Sequence, residues 1–309
     1  MSGPAPDGRD GATRERRAQL SPTNEQLLRQ ATAELQRAGI DAPRRQAQLL
    51  LAGLVGRDRG GLLARSGERL DGPAVARYES WIARRGRREP LQYILGRWEF
   101  HGLELAVDHR ALIPRPETEG LVDAALALDL PPRAAVADLG TGSGCLALAL
   151  AVERPAWRLH AIDRSASALA LARENARRHG AVERICFVAG QLERPPRSWL
   201  GRMDLVVGNP PYVSCAEWTE LAPEVREHEP REALVAGATG LEAYAALAPA
   251  ARALLVPDGR LILELGAGQE KAVRELLAAS GLDTLEVAPD LRGIPRVLVA
   301  RRADAGEGT

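Results

Sequence analysis

Cysteine, aromatic residues and lysine are all scarce in this sequence. The 309 residues include three cysteines, Cys145, Cys186 and Cys215, which lie far apart and without the spacing of a metal-binding motif. That usage is typical of a reducing compartment, and we expect no metal site. Aromatic residues make up 4% of the chain, and Lys271 is its only lysine. We attribute this bias, with its abundant arginine, alanine and glycine, to genome composition rather than to mechanism.

Long apolar runs are also missing. No stretch is long enough to cross a bilayer, and the N-terminus has no apolar segment of the kind found in secretion signals. We therefore expect a cytoplasmic protein without membrane contact. Arginine is in slight excess in residues 1–110, but no dense basic stripe with interleaved aromatic residues accompanies it, so direct nucleic-acid binding is not expected.

The overall composition of the sequence is typical of a globular protein. Hydrophobic residues make up 45% and charged residues 27%, with 41 basic residues balanced by 41 acidic ones. The length suggests about two domains. Composition and pattern divide the chain into a disordered tail (residues 1–20), a helical domain (21–88), a β-hairpin linker (89–112), an α/β domain (113–302) and a C-terminal tail (303–309).

Two changes of period support this division. Leu27, Leu28, Ala31 and Leu35 recur at helical spacing after a cap-like Ser21-Pro22, which indicates an amphipathic helix in a small bundle. Between residues 90 and 108 the apolar spacing shifts toward two, beginning with the run Tyr-Ile-Leu at 93–95. This pattern predicts a hairpin.

From residue 134 onward, apolar strands alternate with helical stretches. Such alternation predicts an α/β fold with an open, mostly parallel sheet and helices on both faces. Ligands bind such sheets at the carboxyl ends of the strands. The predicted strands are residues 135–138, 159–163, 185–188, 204–207, 259–264, 284–287 and 297–300, the last two forming a hairpin.

A glycine-rich loop, GTGSG at residues 140–144, follows the first of these strands and precedes a helix. Its glycines allow close approach of a ligand, but its spacing is neither that of a P-loop nor of the usual dinucleotide fingerprint. Asp163 ends the next strand, where an acidic side chain accepts hydrogen bonds from ribose hydroxyls. Asp138, just before the loop, would cap it or contact a ligand ammonium. A tight turn with a solvated carboxylate explains either feature alone, and a nucleoside ligand explains both together.

The segment Asn-Pro-Pro-Tyr at residues 209–212 ends another strand. Two consecutive prolines remove two backbone donors, so the strand stops and leaves a stiff peptide between an amide and an aromatic ring. Such a turn is suited to holding a planar group that bears an amine or amide. The alternative is a strand-ending turn in which Asn209 caps backbone groups and Tyr212 packs.

The loop at residues 112–119 has the sequence LIPRPETE and starts a helix near Pro116. Glu117 and Glu119 either complement the positive end of that helix or line a pocket.

These motifs resemble a known family. DLGTGSG at 138–144, Asp163 and NPPY at 209–212 are similar to the class I S-adenosylmethionine-dependent methyltransferases that carry an NPPY motif. More narrowly, REPLQYILG at 88–96, FHG at 100–102, IPRPETE at 113–119 and DLRGIPR at 290–296 resemble the peptide chain release factor N5-glutamine methyltransferases (HemK/PrmC).

The resemblance implies a fold, a cofactor and a substrate. The fold would be a Rossmann-like, seven-stranded, mostly parallel sheet, preceded by a helical substrate-recognition domain and the hairpin. The cofactor would be S-adenosylmethionine, and the substrate would be the glutamine amide of the Gly-Gly-Gln motif in a release factor. The implied cofactor-binding residues are Asp138, Gly140, Thr141, Gly142, Ser143, Gly144, Asp163, Gln191, Leu192 and Asn209.

The resemblance also assigns the reacting slot. Asn209, Pro210 and Tyr212 would be catalytic, and the substrate would be bound by Asn209, Pro210, Pro211, Tyr212 and Glu119. One departure concerns Gln191 and Leu192, where the family usually places an acidic residue followed by an aromatic one. Gln191 retains a carbonyl oxygen for an adenine amine, and Leu192 retains apolar packing.

Three alternatives remain open at this point. A glutamine methyltransferase acting on a ribosomal protein would use the same slot. An adenine-N6 nucleic-acid methyltransferase would hold a base amine there, although balanced charge and the lack of an evident target-recognition insert argue against it. A catalytically silent binding module would have little use for Asn209 and the glycine loop.

Overall fold

The computed structural model describes residues 21–303, so the predicted tails at 1–20 and 303–309 lie outside the described residues except for residue 303. The chain forms two compact units that divide between Leu95 and Gly96. This division falls a few residues beyond residue 88, where the sequence pattern ends the helical domain. We describe each unit by itself.

The first unit is built from helices whose apolar faces form one core. Leu27, Leu28, Ala31 and Leu35 are all buried, as their helical spacing predicts. The helices are α1 (Asn24–Arg37), α2 (Pro43–Val55), α3 (Arg59–Leu63), α4 (Gly72–Gly86) and α5 (Leu91–Leu95).

The first helix begins later than the sequence suggested. Thr23, rather than Ser21-Pro22, is its N-cap: the Thr23 hydroxyl accepts from Gln26 N, and the Gln26 side chain accepts from Thr23 N. This reciprocal pair is a capping box, which satisfies two backbone donors at once. Asp71 caps α4 in the simpler way, through a hydrogen bond from Ala74 N.

Residues 91–95 were predicted as the start of the hairpin, and this was wrong. They form α5, in which Ile94 N donates to Pro90 O and Ile94 is buried in the core of the helical unit. A short apolar run fits a strand and a buried helical turn equally well by spacing alone, so its packing partners decide. The hairpin itself is shorter and consists of β1 (Arg97–Phe100) and β2 (Leu103–Ala106).

The second unit contains that hairpin and a seven-stranded sheet, which confirms the predicted α/β fold. The strand order is β10-β11-β9-β6-β3-β4-β5, parallel from β9 to β5 and antiparallel at the β9–β11–β10 edge. The strands are β3 (Ala135–Leu139), β4 (Arg158–Asp163), β5 (Ile185–Ala189), β6 (Met203–Gly208), β9 (Leu255–Glu264), β10 (Leu282–Pro289) and β11 (Pro295–Arg302).

Helices cover both faces of this sheet. Along β6, Leu205 and Val207 point into one core while Val206 points into the other, as expected for a strand buried on both sides. The first core is closed by α6 (Pro116–Ala127), α7 (Cys145–Glu153) and α8 (Ala166–Arg178), and the second by α10 (Glu242–Leu254) and α11 (Glu270–Ala279).

The segment after Tyr212 contains several short elements. They are β7 (Val213–Ser214), a 3₁₀ turn (Glu217–Glu220), α9 (Pro223–His228), a second 3₁₀ turn (Arg231–Ala233) and β8 (Val235–Gly237), with β7 and β8 paired in parallel. The remaining 3₁₀ turns are Val182–Arg184 and Arg197–Trp199.

Asn175 on α8 ties three parts of the second unit together. Its side chain is fully buried; Oδ1 accepts from Ala106 N at 2.7 Å, and Nδ2 donates to Ala106 O at 3.1 Å and to Ser143 O at 3.0 Å. One side-chain amide therefore provides hydrogen-bond partners for backbone groups at the end of the hairpin and in the glycine loop. These groups have no partner on a neighbouring strand.

Replacing Asn175 by Ala should cost about 3 kcal/mol in the free energy of unfolding, because three buried backbone groups lose their partner. Urea denaturation followed by circular dichroism measures this loss. Arg177→Ala, an exposed position on the same helix, is the matched control and should change stability by about 0.5 kcal/mol or less. Equal stability of the two variants would contradict the fastening role of Asn175.

Candidate functional site

One cleft lies at the carboxyl ends of the central strands and has a volume of about 310 Å³. In the sheet, β3 lies between β4 and β6, and the chain passes from β3 to β4. Open α/β sheets bind ligands at such a position, where the order of the strands reverses. The walls of the cleft come from the loops that follow these strands, from the segment before α6, and from the region between β7 and α10. The sequence-predicted residues that line it are Gly140, Thr141, Gly142, Ser143, Asp163, Gln191, Leu192, Asn209 and Pro211.

The glycine loop forms the floor of the cleft. Gly140, Gly142 and Gly144 all have left-handed backbone angles, with φ of 79°, 55° and 82°. A Cβ at Gly140 or Gly142 would meet no described atom within 4 Å, so the space beside them is open to a ligand. Glycine is needed at position 144 for a different reason. A Cβ added there would lie 2.9 Å from the Ala172 Cβ, so only glycine allows the loop to lie this close to α8.

Asp163 holds the loop in place while facing the cleft. Its Oδ2 accepts from Gly142 N and its Oδ1 from Ser165 N, both at 2.8 Å. A carboxylate oxygen accepts more than one hydrogen bond, so both oxygens keep capacity for a ligand hydroxyl. The structure thus brings Asp163 and the glycine loop into the register that the sequence predicted.

Asp138 lies beneath the loop rather than in the lining of the cleft, as far as the described residues show. Its Oδ2 accepts from Thr141 Oγ1 at 2.6 Å and from Ala147 N at 3.2 Å. Within residues 21–303, Oδ1 is buried without a partner. Burial raises the pKa of Asp138 to about 7. The direct contact with a ligand ammonium stays a prediction.

Gln191 and Leu192 lie in the loop after β5 and both line the cleft. Gln191 is exposed, and Leu192 is partly buried and packs against the second core. Their placement suits an adenine, whose edge needs a polar partner and whose face needs an apolar one. Whether they touch one remains a prediction.

Asn209 follows directly after β6 and its side chain lies in the cleft. Gly208 makes this possible, since a Cβ there would lie 3.1 Å from Leu139 O on the neighbouring strand. Asn209 Nδ2 donates to Thr118 Oγ1 at 3.1 Å. Pro211 joins it in the lining, whereas Pro210 is buried behind.

Tyr212 is held at both ends. Its hydroxyl donates to Glu264 Oε1 at 3.2 Å, and its backbone carbonyl accepts from Gln269 Nε2 at 2.9 Å. Burial is the largest cause that raises the pKa of the Tyr212 phenol above its ordinary value, so it stays protonated as a donor.

Glu264 and Thr118 belong to this site, and the sequence analysis predicted neither of them. Glu264 ends β9 with 1% of its surface exposed, and its Oε2 accepts from Thr118 Oγ1 at 2.5 Å. Burial raises the pKa of Glu264, although the two hydroxyl donors and Arg296 oppose that shift. A signal existed: Glu264 is a charged residue at the carboxyl end of an apolar strand, like Asp163.

Glu119 was predicted to bind substrate, but it is not brought into the lining of the described cleft. Its carboxylate accepts from His101 N at 2.9 Å, and Glu117 lies 3.7 Å from the Arg292 guanidinium. Thr118, between them, is the one that faces the cleft. Adjacent residues on a helix point in different directions, and the loop sequence alone did not fix which of the three would face inward.

A buried ion pair closes the side of the cleft next to α6. Glu229, 6% exposed, accepts from Ile113 N at 3.0 Å and from Arg115 Nη2 at 2.6 Å. It thereby fastens the segment after Tyr212 to the loop before α6. A buried carboxylate with two such donors is costly to leave unpaired, so these two loops are held in a fixed relation.

Two structural findings bear on partners. Within residues 21–303, no group of three or more side chains is arranged to hold a metal ion. Over the same residues, no helix has both the length and the apolar character needed to cross a membrane.

Comparison with known families gives the class first. Residues 122–228 match the family described as methyltransferase small domain, and residues 26–96 match the PrmC N-terminal domain. With its seven-stranded sheet and its glycine loop at the strand ends, the second unit is a methyltransferase domain.

Curated relatives give the family. A release factor glutamine methyltransferase of Cereibacter sphaeroides is 45% identical over 89% of this chain and 96% of its own length. One of Geobacter sulfurreducens is 43% identical over 85% and 91%. The chain belongs to the release factor glutamine methyltransferase family, which confirms the resemblance seen in its motifs. Among solved structures, a methyltransferase from Pyrococcus furiosus aligns with a TM-score of 0.49 and 16% identity, over 66% of this chain and 90% of that one.

The buried Asp138 generates a prediction about pH. Because its folded pKa of about 7 exceeds the ordinary value of 3.8, the folded protein binds this proton more tightly than the unfolded chain. That stabilising contribution is complete below about pH 4 and is lost as the pH rises through about 7. Asp138→Asn, which stays neutral, should therefore gain stability relative to the wild type as the pH increases across this window. Urea denaturation at a series of pH values measures the difference, and parallel curves for the two proteins would refute the buried ionisation.

Proposed function

We propose that this chain transfers a methyl group from S-adenosylmethionine to the side-chain amide nitrogen (N5) of the glutamine in the Gly-Gly-Gln motif of peptide chain release factors. This modification would modulate translation termination. The observation that carries the proposal is the position of Asn209, which lines the same cleft as the glycine loop and Asp163. The names and coverage of the curated relatives support the choice of substrate.

The residues of the cleft fit the cofactor. Open space beside Gly140 and Gly142, together with the free acceptor capacity of Asp163, suits an adenosyl group whose ribose hydroxyls donate to that carboxylate. Gln191 and Leu192 would hold the adenine, and the unpartnered Oδ1 of Asp138 would face the positive amino-acid end through the loop above it. The cofactor supplies an electrophilic methyl group on a sulfonium.

The glutamine amide is a poor nucleophile, because its nitrogen lone pair is delocalised into the carbonyl. Orientation and preorganised electrostatics are therefore the means available to the protein. The Asn209 side chain and the Pro210 carbonyl would accept hydrogen bonds from the two amide N–H groups, which aims the nitrogen at the methyl group. Tyr212 would pack against the amide plane. No strong base is needed, because the methylated nitrogen is acidic and its proton leaves to water after transfer.

A labelling experiment tests the proposal. The purified protein is incubated with methyl-labelled S-adenosylmethionine and, separately, with a release factor, ribosomal proteins and DNA. We expect label on the release factor alone, at its glutamine, and none on a release factor in which that glutamine is replaced by alanine. Label on DNA, or on no protein glutamine, would overturn the proposed function.

Asn209→Ala should lower the transfer rate by about 10²- to 10³-fold, because it removes a preorganised acceptor from the reacting amide. Cofactor affinity should change little, since the glycine loop and Asp163 are untouched. Transfer assays and calorimetric titration with S-adenosylmethionine measure the two effects separately. Near-normal turnover in this variant would show that Asn209 does not orient the substrate.

A further inference from the structure

A buried carboxylate lies behind the reacting slot. Glu264 accepts one hydrogen bond on each oxygen, from Thr118 Oγ1 at 2.5 Å and from the Tyr212 hydroxyl at 3.2 Å. It is 1% exposed, and Thr118 is 2% exposed. Burial of a charged group is unfavourable unless its hydrogen bonds are satisfied, so this arrangement requires both hydroxyl groups to donate.

The direction of these hydrogen bonds determines what Thr118 offers next. A hydroxyl has a single hydrogen, and that of Thr118 is given to Glu264. Toward Asn209, Thr118 Oγ1 is therefore only an acceptor. The side chain of Asn209 has to turn its NH₂ group to it, as the 3.1 Å contact from Nδ2 shows.

This fixes which end of the Asn209 amide is left for the cleft. With Nδ2 turned to Thr118, the Oδ1 atom has no hydrogen-bond partner among the described residues and lies on a side chain that lines the cleft. A substrate amide approaches with N–H groups, which need an acceptor. If the Asn209 amide were rotated by half a turn, its NH₂ group would face the NH₂ group of the substrate amide, and that contact would be repulsive.

We propose that Thr118 and Glu264 are positioning residues: the hydroxyl of Thr118, directed by the Glu264 carboxylate, holds the Asn209 amide with its oxygen toward the substrate. This inference rests on the proposed function, since it assumes an N–H donor in the slot. Neither residue needs to touch the reacting atoms, because both act through Asn209. The same carboxylate receives Tyr212, so one buried charge orients both ends of the 209–212 turn.

Two substitutions at Thr118 separate this role from packing. Thr118→Val keeps the volume of the side chain and removes the hydroxyl, whereas Thr118→Ser keeps the hydroxyl and removes a methyl group. If Thr118 positions Asn209, the valine variant should lose about tenfold to a hundredfold in kcat, and the serine variant should stay close to wild type. Affinity for S-adenosylmethionine should be nearly unchanged in both variants.

A role in packing alone predicts the opposite order. Valine would then be tolerated at least as well as serine, because serine leaves a small cavity at a buried position. A kcat for Thr118→Val equal to or above that for Thr118→Ser would overturn the inference, as would equal losses in both. Thermal unfolding and calorimetric titration with S-adenosylmethionine on each variant confirm that the fold is retained.

The matched control is Thr284→Val, the same substitution on the edge strand β10, which does not line the described cleft. It should leave kcat unchanged. The assay also distinguishes failure of the proposed function from failure of the positioning role. If the wild type fails to methylate a release factor glutamine, the proposed function is wrong; if it succeeds and the valine and serine variants do not differ, only the positioning role is wrong.

Glu264→Gln probes the carboxylate itself. An amide offers one acceptor oxygen where Glu264 offers two, so the hydroxyls of Thr118 and Tyr212 compete for it. We expect kcat to fall while cofactor affinity is retained. Unchanged kcat in a folded Glu264→Gln protein would show that the charge does not direct the Thr118 hydroxyl.

Discussion

The parallel pairing of β3 with β4 and β6 is the constraint on which the site depends. Asp138 in β3 is in register with Ala161 in β4 and Val207 in β6, so the three strands end at nearly the same level. The glycine loop, Asp163 and Asn209 follow immediately and have to share one edge of the sheet. Because both faces of these strands are buried, a shift of register would move apolar side chains out of two cores at once. The sheet therefore fixes the spacing between the glycine loop, Asp163 and the 209–212 turn.

Irregular backbone at that edge is stabilised by side chains rather than by neighbouring strands. Asp163 accepts from the glycine loop, Glu229 accepts from Ile113 N, and Gln269 donates to the carbonyl of Tyr212. Backbone groups without strand partners are unfavourable when buried, so each of these polar side chains has a structural reason to be present. The same groups line or support the cleft. Precision at the site is thus a product of hydrogen-bond satisfaction at the ends of the strands.

The sequence predicts the parts of this protein that are local. A strand pattern followed by residues that end a strand identifies the glycine loop, Asp163 and the Asn-Pro-Pro-Tyr turn. All three were correctly placed at the ends of strands. Residues 91–95 were assigned to the wrong element because their apolar spacing fits both a helical turn and a strand. The pairing of Thr118 with Glu264 joins residues 146 positions apart, and no local pattern contains that information. The substrate role was predicted for Glu119, whereas Thr118 is the residue that lines the cleft, because tertiary packing sets the orientation of α6 about its own axis.

The contact between Gly144 and Ala172 limits how this fold can vary. A Cβ on Gly144 would lie 2.9 Å from the Ala172 Cβ, so the floor of the cleft and α8 are already at the closest approach that two backbones with these side chains allow. Asn175 lies three residues along the same helix and bonds both Ser143 and Ala106. A larger residue at either contact position would push α8 outward and pull Asn175 from both partners. Variation at Gly144, Ala172 and Asn175 is therefore coupled. A relative that changes one of them has to change the packing and hydrogen bonds between the hairpin, the glycine loop and α8 together.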